Sequence, residues 1–130
     1  MRRALISIFV AAATTGAGHA QDRVRTDGFF ERAKGLKQAG QTSVANLVPG
    51  DWDKVCFYGG YTENPALKIA NAETDWTLIF YRGEAEVGRV QGTYRRLVLN
   101  SPETARQHDC HGRQAIVAWQ GERAMFRAPR

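Results

Sequence analysis

The sequence predicts an α+β domain: a single antiparallel sheet of about five to six strands, one or two short helices and one disulfide. Three observations predict it. Apolar residues recur at helical spacing near the start of the mature chain, at Phe29, Phe30, Ala33 and Leu36. From Trp52 onward, short apolar runs alternate with turns rich in glycine, asparagine and proline. The chain holds two cysteines, Cys56 and Cys110, behind a start that reads as an export signal. An even cysteine count in an oxidising compartment reads as a cystine.

That start is "MRRALISIFVAAATTGAGHAQD". Arg2 and Arg3 form a positive region, Ala4 to Ala13 an apolar run, and Gly18-His19-Ala20 a small-residue approach to a cleavage site after Ala20. The apolar run falls well short of the ~20 residues that span a bilayer, so no membrane span is expected. The reading is a signal peptide over residues 1–20 and a periplasmic or secreted mature chain. Residues 21–50 read as an N-terminal helix and linker, and 51–130 as the sheet domain. Loss of the signal removes two arginines and no acid, leaving sixteen basic and thirteen acidic residues, a net charge of +3. A surplus that small does not single out nucleic acid or anionic lipid as a partner.

Within the mature chain, Asp27–Gln38 reads as a short helix with Asp27 as N-cap, weakened by Gly35 and Gly40. Thr42–Val48 adds a further turn before Pro49-Gly50-Asp51 stops it. The stretch from Gly35 to Gly50 is loose enough to serve as a linker. "WDKVCFY" and "DWTLIFYR" are apolar on both faces, which marks well-buried strands. Between them, Asn64-Pro65 can open a helix carrying Leu67, Ile69 and Ala70. Arg82-Gly83-Glu84 reads as a hairpin turn into "AEVGRVQ", and Gly92 separates that strand from "TYRRLVLN". "QAIVAW" and "RAMFR" close the chain around the turn "QGE". Such short connections call for antiparallel pairing in one sheet. A cystine closing the 54 positions between Cys56 and Cys110 contributes about 4 kcal/mol by chain entropy, a large share of a domain's typical stability.

Chemistry concentrates in "RQHDCHGR", residues 106–113, which holds two of the three histidines and one cysteine. A metal reading would use His108, Cys110, His111 and Cys56, but no paired ligand spacing accompanies them and the thiolates must survive oxidation. A cysteine nucleophile needs a free, partly exposed thiol, which pairing of Cys110 with Cys56 removes. Asp51, Asp53, Glu63, Glu73 and Asp75 lie at strand ends and turns, and none forms an isolated pair in an apolar setting. The aromatic-basic stretches "FYR" and "TYRR" could stack on bases or sugars, but the small basic excess favours an arginine-bearing outer sheet face around Arg89, Arg95 and Arg96. No catalytic residue, metal or cofactor is therefore assigned, and the protein is read as a non-enzyme. What remains for Gln107, His108, Asp109 and His111 is either recognition of another protein, by a loop tied down at Cys110, or an ordinary solvated loop.

Two resemblances bear on this choice. "DWDKVCFYGGYT", "TDWTLIFYRGEAEV" and a second cysteine near the C-terminus resemble small exported bacterial proteins of uncharacterised function. That resemblance implies the Cys56–Cys110 pair and the helix-plus-sheet layout. "HDCHGRQAIVAW", residues 108–119, is similar to the inhibitory loop and following strand of the inhibitor of vertebrate lysozyme family, through His108, Asp109, Cys110, Val117 and Trp119. The resemblance implies a loop whose histidine enters between the catalytic carboxylates of a c-type lysozyme, with His108 inserting, Asp109 beside it and Cys110 as anchor. Ala105 stands where that family places its second loop cysteine, so the anchor here must reach Cys56. The expectation is an exported, non-catalytic binding protein with another protein as partner, in concrete form an inhibitor of a cell-wall-degrading enzyme such as a lysozyme. The alternative is a structural or accessory envelope protein that binds through its sheet.

Overall fold

A computed structural model of the chain describes residues 23–59, 68–69, 74–102 and 108–129. The signal segment and the helix expected at Asn64 lie outside these residues, apart from Lys68 and Ile69. In chain order the elements are α1 (Phe29–Leu36), a 3-10 turn (Lys37–Ala39), β1 (Gln41–Ser43) and the single-turn helix α2 (Val44–Leu47). They continue with β2 (Lys54–Gly59), β3 (Trp76–Arg82), β4 (Ala85–Gly92) and β5 (Val98–Asn100). The last three strands are β6 (Asp109–Gly112), β7 (Ile116–Gln120) and β8 (Arg123–Arg127).

These strands form two four-stranded sheets, ordered β1-β7-β8-β5 and β4-β3-β2-β6. The single sheet expected from the sequence is therefore incorrect. Runs apolar on both faces, such as "KVCFY", report burial on both sides but not what covers each side. Here the cover on one side is a second sheet. Two of its strands, β1 and β5, are three residues long, too short to show a period of two. All-antiparallel pairing is also incorrect, because β5 runs parallel to β8. Two intervening strands, β6 and β7, give that connection the length that parallel pairing needs.

The sheets pack face to face through alternate side chains. Val55 and Phe57 of β2 and Trp76, Leu78 and Phe80 of β3 meet Leu99 of β5, Val117 of β7 and Ala124 and Phe126 of β8 in one buried cluster. Phe57 and Phe126 stack across the interface with ring centroids 6.0 Å apart. β8 shows the rule plainly: Ala124 and Phe126 are buried, while Arg123 and Met125 face solvent. Helix α1 adds Phe29 and Ala33 to the cluster, and α2 adds Val44 and Leu47. Residues 41–48 thus belong to the first sheet and its core.

Local devices fix the ends. The N-cap of α1 is Gly28, in the left-handed region at φ 80°, rather than Asp27. Asp27 offers its backbone carbonyl instead, accepting a 2.8 Å bond from Arg32, whose Nε also donates to the Leu47 carbonyl at 2.7 Å. One guanidinium therefore ties α1 to α2. Both fully buried tryptophans satisfy their indole N–H: Trp52 donates to the Val48 carbonyl (2.7 Å) and Trp76 to that of Leu97 (2.9 Å). The strand expected over "TYRRLVLN" is confined to Val98–Asn100. Thr93 accepts from the N–H groups of Arg96 and Leu97, and Asp75 takes the N–H of Tyr94 at 2.7 Å, so residues 93–97 form a turn.

Candidate functional site

The His/Cys segment is an edge strand of the second sheet. Its residues carry little intrinsic strand preference, so the pairing is imposed by β2, which β3 covers along one edge and whose other edge takes β6. β6 joins β2 in the register Cys56↔Cys110, flanked by Val55↔His111 and Phe57↔Asp109. The two cysteines stand directly opposite, with Cα atoms 4.0 Å apart, and form the expected cystine. Facing positions without mutual hydrogen bonds are the closest pairs in an antiparallel ladder, which brings the two sulfurs together. Both thiols are consumed, and neither is available as nucleophile or thiolate ligand. Among the described residues no group of three or more histidine, cysteine, aspartate or glutamate side chains is placed to hold a metal.

The period of two then divides the segment. Asp109 and His111 turn inward, whereas His108 and Cys110 share the opposite face. Asp109 is 6% exposed and accepts a hydrogen bond from Ser101 Oγ at 2.5 Å on Oδ2, while His111 Nε2 lies 2.9 Å from Oδ1. The His111 ring rests on Phe126, centroids 5.4 Å apart. Asp109 is thus a buried carboxylate held between two partners. The order of these contacts is serine–aspartate–histidine, with the Ser101 hydroxyl donating to the carboxylate and not to the His111 ring. Nothing in the turn Asn100-Ser101-Pro102 distinguishes this serine in the sequence; only the register of β6 shows its role.

On the other face, the cystine packs with Tyr58, Ile69, Ile79 and Tyr81. His108 is exposed, and its ring lies 5.8 Å from that of Tyr58. Burial pushes the Tyr58 phenol far above its ordinary range, reinforced by the Tyr81 hydroxyl 3.4 Å away. Tyr58 therefore stays neutral where its ring packs beside His108. Nearby, Arg89 makes a two-pronged ion pair with Glu86, both contacts 2.7 Å, which holds the Glu86 carboxyl below its usual value and raises the guanidinium. Of the four residues singled out for recognition, the structure leaves His108 presented to solvent, commits Asp109 and His111 to an internal contact, and does not describe Gln107. No helix among the described residues is long and apolar enough to cross a membrane.

No protein-family model, curated protein or solved structure matches this chain.

Proposed function

We propose that the protein is a small exported binding protein without catalytic machinery, which engages a partner protein through the segment entering β6 with His108 leading. Its concrete form is inhibition of a cell-wall-degrading enzyme of the c-type lysozyme kind. One observation carries this reading: His108 is exposed two residues from a cystine that fixes β6 to the interior strand β2. A side chain held that way loses little freedom on docking. Asp109 and His111, bound to one another, brace the strand behind it and add rigidity rather than contacts. An imidazole placed between two glycosidase carboxylates would occupy the proton path that glycoside cleavage requires.

The test is clearance of a cell-wall suspension by c-type lysozyme with and without the protein. The wild type is expected to slow clearance, and His108→Ala to abolish the effect with an unchanged melting temperature. Failure of the wild type to slow clearance, or full inhibition by the variant, would reject the inhibitor reading.

A further inference from the structure

A second site lies on the other sheet. Between α1 and the turn 93–97, bounded by Trp119 of β7 and by Glu122, runs a groove of about 540 Å3. That is the size of a small-ligand site, for which ~300–1,000 Å3 is usual. Its floor is apolar and aromatic, from Phe30, Leu97 and Trp119, and its rim is cationic. Lys37 is spent on Glu122, 2.5 Å away. Lys34, Arg95 and Arg96 are exposed and, among the described residues, have no carboxylate within ion-pair distance. Glu31 is the single acid left on the rim to oppose them.

Arg96 is the most organised of the three. Its guanidinium sits over the Phe30 ring, 3.8 Å from the centroid, a cation–π contact that positions the group without drawing on its N–H fork. That fork matches a carboxylate. The backbone around the groove, by contrast, has few donors to give. The N–H of Tyr94 is taken by Asp75, those of Arg96 and Leu97 by Thr93, and that of Trp119 by Gly40. A peptide adding as a strand meets the edge strand β5, whose three residues make too short a ladder for strand addition. A nucleic-acid strand needs a basic track several nucleotides long, and this groove is compact. Side-chain recognition of a ring-shaped body bearing carboxylates fits both halves of the lining.

We propose that this groove binds an acidic oligosaccharide, with a uronic-acid carboxylate on Arg96, further carboxylates near Arg95 and Lys34, and a sugar face laid on Trp119. The site is separate from His108, so either assignment can fail alone. Trp119 is half-buried whereas Trp52 and Trp76 are each 1% exposed, so tryptophan emission reports on the groove. The experiment is a fluorescence titration with tetragalacturonate, run beside cellotetraose, tetraglutamate and a short oligothymidylate. Tetragalacturonate is expected to bind most tightly and to weaken as salt is added. Arg96→Gln should weaken it about tenfold, the scale of one charge-assisted hydrogen-bonded contact, without moving the melting temperature. Trp119→Leu should remove the emission change, and His108→Ala should leave binding intact. No binding of tetragalacturonate, equal or tighter binding of any of the other three probes, or full affinity in Arg96→Gln would overturn the proposal.

Discussion

Gly92 ends β4 directly opposite Trp76, and a side chain there has nowhere to go. A Cβ added to Gly92 would overlap the indole at Cζ2, Cε2 and Cη2, the last at 2.8 Å. The ring cannot swing aside cheaply. It is 1% exposed, packs on Phe29 and Phe30 at centroid distances of 5.9 and 6.0 Å, and donates its N–H to Leu97. Gly92→Ala therefore sets two effects against each other. Restricting the unfolded chain stabilises by about 0.4–1 kcal/mol where the native conformation accepts alanine. Overpacking a full core costs about 1–3 kcal/mol, and straining or losing the indole bond costs about 1 kcal/mol more. The clash wins, for a net loss of about 2 kcal/mol. With a urea dependence of about 2 kcal/mol per molar, the unfolding midpoint should fall by about 1 M. Gly35→Ala in α1 is the control, because its added Cβ meets nothing within 4 Å and should stabilise by about 0.5–1 kcal/mol. A Gly92→Ala protein as stable as the wild type would show that the Trp76 site has slack, and would sink the reasoning.

Three further outcomes follow from the same geometry. Replacing Cys56 and Cys110 together by alanine opens a loop with a sequence separation of 54 and should cost about 4 kcal/mol in urea unfolding, with reductant shifting the wild type alone; a loss under 1 kcal/mol would mean the sheet pairing supplies the constraint by itself. Ser101→Ala leaves an oxygen of buried Asp109 short of a donor and should lower stability by about 1.5–3 kcal/mol, read from the same transition, whereas no change would show that the bond contributes nothing net. Because Arg89 holds the Glu86 carboxyl below its ordinary value, the pair's contribution is complete above the usual carboxylate range and disappears as pH falls through the lowered folded-state value. Glu86→Gln should therefore make stability fall less steeply on the acid side, and parallel curves for the two proteins would contradict the assignment.

How much of this was legible in the sequence differs by element. β2, β3, β4, β7 and β8 each announce themselves by alternation or by two-sided apolar runs, and the hairpin at Gly83 by its turn residues. The partition into two sheets was not legible. β1 and β5 owe their existence to partners far along the chain: Gln41–Ser43 pairs with Ile116–Ala118, and Val98–Asn100 with Arg123–Met125. Three residues hold no periodicity, so only tertiary pairing can call them strands. The helix at 29–36 was visible, yet its start was not, since Gly28 works by backbone conformation and not by a capping side chain.

The candidate site shows the same limit at finer grain. "HDCHGR" read as a loop allows all its polar groups to point the same way, and on that reading His108, Asp109 and His111 are equivalent. Once Cys110 stands opposite Cys56, the segment is a strand and parity takes over: the sulfur chooses one face, so residues 109 and 111 must take the other. That inward face lies over Phe126, where an isolated carboxylate would be costly, and Asp109 is tolerated because Ser101 and His111 both serve it. The cystine thus sets the orientation of its neighbours as well as adding stability. It decides which imidazole turns inward behind the strand and which faces solvent, and shifting β6 by one residue would exchange the two.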